Sequence, residues 1–437
     1  MKRIFIAFAL AAASSVLLYA QESADKIRTI TVDEAVILAA DNNITLKQQR
    51  LSLETLERKN KTAWNVVGPS ASVSGGVEIP LDGFVTGKES SYKFSYNVSA
   101  SLGLSLTPSL YTAVKDAKLR YESGKTNYET AVRQIELNVR KLFYNLIYTK
   151  ESITLQKRNM ETAKLRYENN RDKYNRGQLS ELDLLQSQYS YESQRPSIES
   201  AEIAYQNSIA SFKQVLGIPQ NEKIELSGSL SDAVPPDSFT LTQSVDDIPS
   251  VKKLESSIAL QKNTLLSTRF SAYGPSLSAG YSWRLNGSDK TEGLKNLGET
   301  NAISINVKLP LDGLLPWSNG AQSVANQKAT LADLELQLEN EKTTASLTIQ
   351  NSIKNIIQKQ SQMDMLDKNV ELAKKAYDMT LTAYNHGSRD LLTLQNASDS
   401  LLKARTDREL QIYNLICAVL DLENTLGIPF GSLGEDK

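Results

Sequence analysis

From Tyr92 to Leu106 the character of the side chain flips at every residue. Tyr92, Phe94, Tyr96, Val98, Ala100, Leu102, Leu104 and Leu106 are apolar, whereas Lys93, Ser95, Asn97, Ser99, Ser101, Gly103 and Ser105 are polar or small. Only an extended strand sends alternate residues to opposite faces, so this period predicts a β-strand with one oily and one polar side. Three further runs behave alike. Ala71, Val73, Val77 and Ile79 oppose Ser70, Ser72, Ser74 and Glu78. Leu277, Ala279, Tyr281, Trp283 and Leu285 alternate with Ser276, Ser278, Gly280, Ser282 and Arg284. Ile303, Ile305, Val307 and Leu309 alternate with Ala302, Ser304, Asn306 and Lys308. The expectation is four strands in two hairpins, at about 70–79, 92–106, 275–285 and 300–309.

Alternation alone also suits soluble hairpins with one face on a core. Two features favour lipid. Each run is long enough for a tilted strand to cross a bilayer, and the polar face is Ser, Asn and Gly rather than charge. Trp64, Tyr92, Tyr273, Trp283 and Trp317 also stand where aromatic girdles belong. Four strands cannot close a barrel, and an open edge in hydrocarbon leaves backbone groups unpaired. Such a chain has to oligomerise: two copies supply about eight strands, three about twelve with room for a lumen. The Gly-rich polar loops at 80–91 and 286–299 then belong outside the membrane.

The strands sit in a duplicated frame. Tyr174-Asn175-Arg176-Gly177 recurs as Tyr384-Asn385-His386-Gly387, and Leu216-Gly217-Ile218-Pro219 as Leu426-Gly427-Ile428-Pro429, both 210 residues on; Gly68-Pro69-Ser70 is echoed by Gly274-Pro275-Ser276. Each half reads as a helix, two strands, a very long helix, a Gly turn and a return helix. The long runs, about 109–175 and 318–385, have no internal proline and mostly three-four apolar spacing, which at 1.5 Å per residue predicts helices on the order of 100 Å long. They need coiled-coil partners, and the return helices at about 180–216 and 390–426 supply them. Gly177 and Gly387 suit the left-handed residue that ends a helix, and Ser180 and Asp390 the N-cap of the next. Pro196 predicts a kink or break in the first return helix. The first repeat is placed at 21–216 and the second at 248–430, with a linker at 217–247 that adds a small strand or helix, and a tail at 431–437. The fold class is mixed α and β, mostly α.

Lys2 and Arg3, the apolar run Ile4–Leu18 and the small Ala20 read as a secretory signal peptide over residues 1–20. Composition narrows the function. Lys and Arg total 49 against 50 Asp and Glu, which argues against nucleic-acid binding. One cysteine, Cys417, excludes an intramolecular disulfide, and one histidine, His386, excludes a His-cluster metal site. No phosphate-binding loop, zinc spacing or nucleophile-base set is present, so no catalytic residue, cofactor or metal is expected.

The ordered set, with the opening Thr31-Val32-Asp33-Glu34-Ala35 running to Asn42-Asn43 and the Tyr-x-x-Gly turns ahead of Leu-rich return helices, resembles the TolC family of outer-membrane efflux proteins. The resemblance implies a homotrimer in outer-membrane lipid, with a twelve-stranded barrel continuing into a helical tunnel across the periplasm. It also implies a periplasmic adaptor and an inner-membrane pump of resistance-nodulation-division or ABC type, which supplies the energy for passive conduction of drugs, proteins or metal ions. By the same resemblance Asp183, Tyr384 and Arg389 form a periplasmic gate. Thr393 and Asn396 stand at the pore constriction, where some members carry aspartates. Gly177, Ser180, Gly387 and Asp390 mark the tips that meet the adaptor. The competing reading is a periplasmic coiled-coil adaptor or scaffold without a membrane barrel.

Overall fold

The computed structural model describes residues 27–79, 94–233, 245–288 and 298–434. The signal peptide, Tyr92, most of both strand-connecting loops, Pro235-Pro236 and the last three residues lie outside them. In chain order, β1 (Arg28–Ile30) leads into α1 (Val32–Asn42) and α2 (Ile44–Lys61). Next come β2 (Ser70–Glu78), β3 (Ser95–Leu106), α3 (Ser109–Asn175), α4 (Glu181–Glu192), α5 (Arg195–Leu216) and β4 (Ile224–Leu226). The second run is α6 (Pro249–Tyr273), β5 (Ser276–Ser288), β6 (Gly298–Lys308), α7 (Asn319–Asn385) and α8 (Leu391–Leu426). α3 and α7 are each 67 residues long, about 100 Å of helix. Pro196 is the second residue of α5, where its missing N–H leaves no helical bond unmade. The first return segment is therefore two helices and the second is one.

Helix ends follow local chemistry. Thr31 and Glu34 form a capping box at α1, with Thr31 N donating to Glu34 Oε2 at 3.0 Å and Glu34 N to Thr31 Oγ1 at 3.3 Å. α5 and α8 end on Gly217 and Gly427, at φ 68° and 75°. A Cβ on Gly217 would also meet Asn42 Cβ at 2.6 Å, and one on Gly427 would meet Pro249 Cγ at 2.8 Å. Glycine is required at both for two reasons, conformation and space.

Two compact units emerge: one of residues up to Arg50, Tyr128–Pro249 and Lys342 onward, the other of Leu51–Asn127 and Ser250–Glu341. In the first, β1 and β4 pair in parallel, Ile30 beside Leu226. Their apolar side chains join Phe143, Leu146, Phe212, Leu216 and Ile412 in the core. A second cluster gathers Ile356, Leu415, Leu422 and Leu426. The break between α4 and α5 is bridged by polar groups: Gln194 donates to Ser190 O, Asn159 Nδ2 to Gln194 Oε1, and Ser398 Oγ to Asn159 Oδ1.

The second unit holds a four-stranded antiparallel sheet in the order β2-β3-β5-β6. Beside it Asn263 donates to Thr112 O at 2.9 Å, and α2 lies so close on α3 that a Cβ at Gly124 would meet Leu56 Cδ1 at 2.5 Å.

Candidate functional site

The register of the sheet decides what its faces are made of. Val73 stands opposite Ala100, Ala100 opposite Trp283, Leu102 opposite Tyr281, and Tyr281 opposite Ile303; Leu106, Leu277 and Val307 make a further row. Opposed residues of an antiparallel ladder share a face. The apolar sets of all four strands therefore fall on one side, and Ser72, Ser101, Ser282 and their neighbours fall on the other. On the polar side the hydroxyls pair laterally, Ser72 with Ser101 and Ser74 with Ser99, each at 2.8 Å. The apolar side is open: Val73 is 78% exposed, Ile303 81%, Ile305 71% and Val307 75%.

Both ends of that open face carry amphipathic groups. Toward the β5–β6 connection, Trp283 Nε1 donates to Glu299 Oε1 at 2.8 Å and the Tyr281 hydroxyl to Asn301 Oδ1 at 3.1 Å. Where strands meet helices, Trp64, Tyr111, Leu311, Leu314 and Trp317 are exposed. Along β3 the apolar row from Tyr96 to Leu106 covers about 34 Å of strand, or about 25 Å of height at a tilt near 45°.

The two Gly turns belong to the other unit. Gly177 and Gly387 adopt φ 72° and 73°. In each the amide after the glycine reaches back, Gln178 N to Lys173 O and Ser388 N to Ala383 O, both at 2.9 Å. Nothing crowds a Cβ at either glycine, so Gly387→Ala is expected to cost only the left-handed strain, about 1 kcal/mol, read as a small drop in thermal midpoint. Ser180 caps α4, and its hydroxyl donates to Asp183 Oδ2 at 2.6 Å. Asp390 caps α8 by accepting from Thr393 N at 3.0 Å. Hydrogen bonds from Thr393, with a minor contribution from Arg389, hold the Asp390 carboxyl below its ordinary range.

The three residues assigned to a gate are not joined within the chain. Asp183 engages Ser180. Tyr384 donates instead to Asn170 Oδ1 at 3.1 Å, tying α7 to α3, and Arg389 lies exposed beside Asp390. Asn170 is 1% exposed, and its Nδ2 has no partner among the described residues. A polar residue at a buried position of an amphipathic helix is the one signal that marks it in the sequence. Thr393 is half-buried in the first turn of α8, and Asn396 is exposed.

Two ionisable clusters elsewhere in this unit went unseen in the sequence. Burial, then the charge and hydrogen bond of Glu409, push the Glu151 carboxyl up to about 7, against the pull of Arg408. The folded chain thus keeps a proton that the unfolded chain releases near pH 4.3. Stability from this group is full below that pH and falls as pH rises toward about 7, by on the order of 1 kcal/mol once solvent screening at a half-buried position is allowed for. Glu409→Gln is expected to flatten the dependence of thermal midpoint on pH over that window; an unchanged slope would refute the pairing. In the second cluster Arg133 bridges the end of α8 to the segment after it, donating to Glu423 O at 3.2 Å and Ile428 O at 2.6 Å.

A long-helix chain carrying an uncovered two-faced sheet is the class of a membrane channel protein, and sequence comparison agrees. The pattern of the outer membrane efflux proteins matches residues 36–218 and 268–428. The chain belongs to that family, and with it come a role in efflux and an outer-membrane location. No curated protein matches it in sequence.

Solved structures match over most of their length. The CmeC outer membrane channel of Campylobacter jejuni shares 20% identity, with 93% of this chain and 87% of that one covered at a TM-score of 0.73. CusC shares 13% identity over 91% of this chain and 92% of its own, also at 0.73. The open-state MtrE outer membrane channel of Neisseria gonorrhoeae shares 17% over 93% and 91%, at 0.70. At these identities the likeness is one of fold.

Proposed function

We propose that three copies of this chain close a twelve-stranded barrel in the outer membrane and continue as a helical conduit into the periplasm. A periplasmic adaptor meets the Gly177 and Gly387 turns, and an inner-membrane pump of resistance-nodulation-division or ABC type supplies the energy. The chain itself conducts passively. The observation that carries this reading is the register of the sheet, which puts every strand's apolar set on one exposed face and leaves hydroxyls for the other. An uncovered apolar face of this size is unstable in water, and edges at β2 and β6 call for partner strands. Purification tests it: detergent-dependent trimers that dissociate on heating and conduct ions in planar bilayers are expected, whereas a detergent-free soluble monomer would defeat the proposal.

At the tip, the Tyr384–Asn170 bond holds α7 against α3, and Asp183, Arg389, Thr393 and Asn396 lie around the aperture that it keeps narrow. Single hydrogen bonds of this sort are weak enough for a docking partner to release. Tyr384→Phe and the pair Asp183→Ala with Arg389→Ala are each expected to raise single-channel conductance. Wild-type conductance in both would remove these residues from gating.

A further inference from the structure

On the polar face of the sheet charge is scarce. Among the described residues of that face only Glu78, Arg284 and Lys308 are charged residue types; the remainder are Ser, Gly, Asn, Thr and Ala. Lys308 stands at the helix end of β6, opposite Ser276, and Glu78 at the far end of β2, opposite Ser95. Arg284 lies between those levels, opposite Ser99 on one side and Thr300 on the other. Ser99 is already paired with Ser74 at 2.8 Å, so the guanidinium is flanked by neutral hydroxyls. The neighbouring acid Glu299 is opposite Leu285, on the other face, and is taken by Trp283. Glu78 is level with Ser95, four residues from Ser99 along β3, which is about 13 Å of strand, and salt screens charges over about 8 Å at physiological ionic strength. A guanidinium stays charged at every working pH.

We infer that Arg284 sets the ionic preference of the channel. Resting on the trimeric-barrel reading above, three copies form a cationic ring on the lumen wall that favours anionic solutes, such as carboxylates and phosphate esters, over cations. Charged rings of one sign on a neutral wall select by attracting the opposite sign where water is confined.

The test is the reversal potential of the purified trimer in planar bilayers under a KCl gradient, for wild type, Arg284→Lys, Arg284→Ala and Arg284→Glu. Wild type and Arg284→Lys should prefer chloride. The chloride-to-potassium permeability ratio should fall at least about twofold in Arg284→Ala and drop further, toward potassium, in Arg284→Glu, with the differences shrinking as salt is raised. Trimer yield on gels checks assembly, and if the glutamate variant assembles poorly, the lysine and alanine variants decide. One reversal potential shared by all conducting variants, or a potassium preference in wild type, would overturn the role of Arg284 while leaving the channel intact. A wild-type protein that never conducts would bring down the barrel itself, and this inference with it.

Discussion

Arginine at Val98 or Leu104 is expected to empty the outer-membrane fraction of assembled trimer, while arginine at Ser101 leaves it nearly full. Val98 faces the same side as Leu285, and Leu104 the same side as Ala279, within the open apolar surface; Ser101 and Ser282 form a pair on the opposite side. A cationic side chain in contact with lipid near the bilayer midplane costs about 2–4 kcal/mol. In the proposed trimer that cost is repeated three times, so the assembly would bear roughly 6–12 kcal/mol from one substitution. Heat-modifiable trimer on gels of membrane fractions measures the outcome. Normal yield for Val98→Arg, or equal loss for Ser101→Arg, would show that the apolar row does not meet hydrocarbon.

The second large effect is expected at Arg133. Its guanidinium donates to the carbonyls of Glu423 and Ile428 and lies over the Phe430 ring, 5.3 Å from the centroid. Glu423 is 0% exposed and accepts from Leu433 N at 3.1 Å. Burial raises its carboxyl above the ordinary range, opposed by hydrogen bonds from Gly431 and Leu433 and by the charges of Arg140 and Arg133. Arg133→Met therefore strips two carbonyls of a donor and a buried carboxyl of a nearby cation. Leaving a buried acceptor without its donor costs about 1–3 kcal/mol. The thermal midpoint should fall sharply, and limited proteolysis should open the segment after Gly427 first. Glu423→Gln, which keeps an acceptor for Leu433, should be much milder. Similar losses from both would mean that packing, rather than the polar clasp, holds the segment.

Elements governed by nearby residues were readable in the chain. The turn glycines, the Ser180 and Asp390 caps and the long proline-free helices depend on groups within about one helical turn, so their chemistry is written in consecutive letters. Period two announced the strands for the same reason. Pro196 announced a discontinuity, and the structure supplies its form: a clean restart of α5 with the proline in its first turn. The site was less legible. Tyr384 was singled out, but its partner Asn170 is 214 residues away, and Asp183, which the family resemblance also assigned to the gate, spends its carboxyl on Ser180.

The amino-acid order by itself determined which side chains alternate, where helices stop and which turns need glycine, because steric limits on φ and hydrogen bonds to adjacent amides act over a few residues. Only the tertiary structure decided that four separate alternations share one face, that Glu151 meets Glu409, and that Arg133 clasps the chain beyond α8. Those outcomes depend on register and on packing between segments separated in sequence, where a shift of one position exchanges the two sides of a strand.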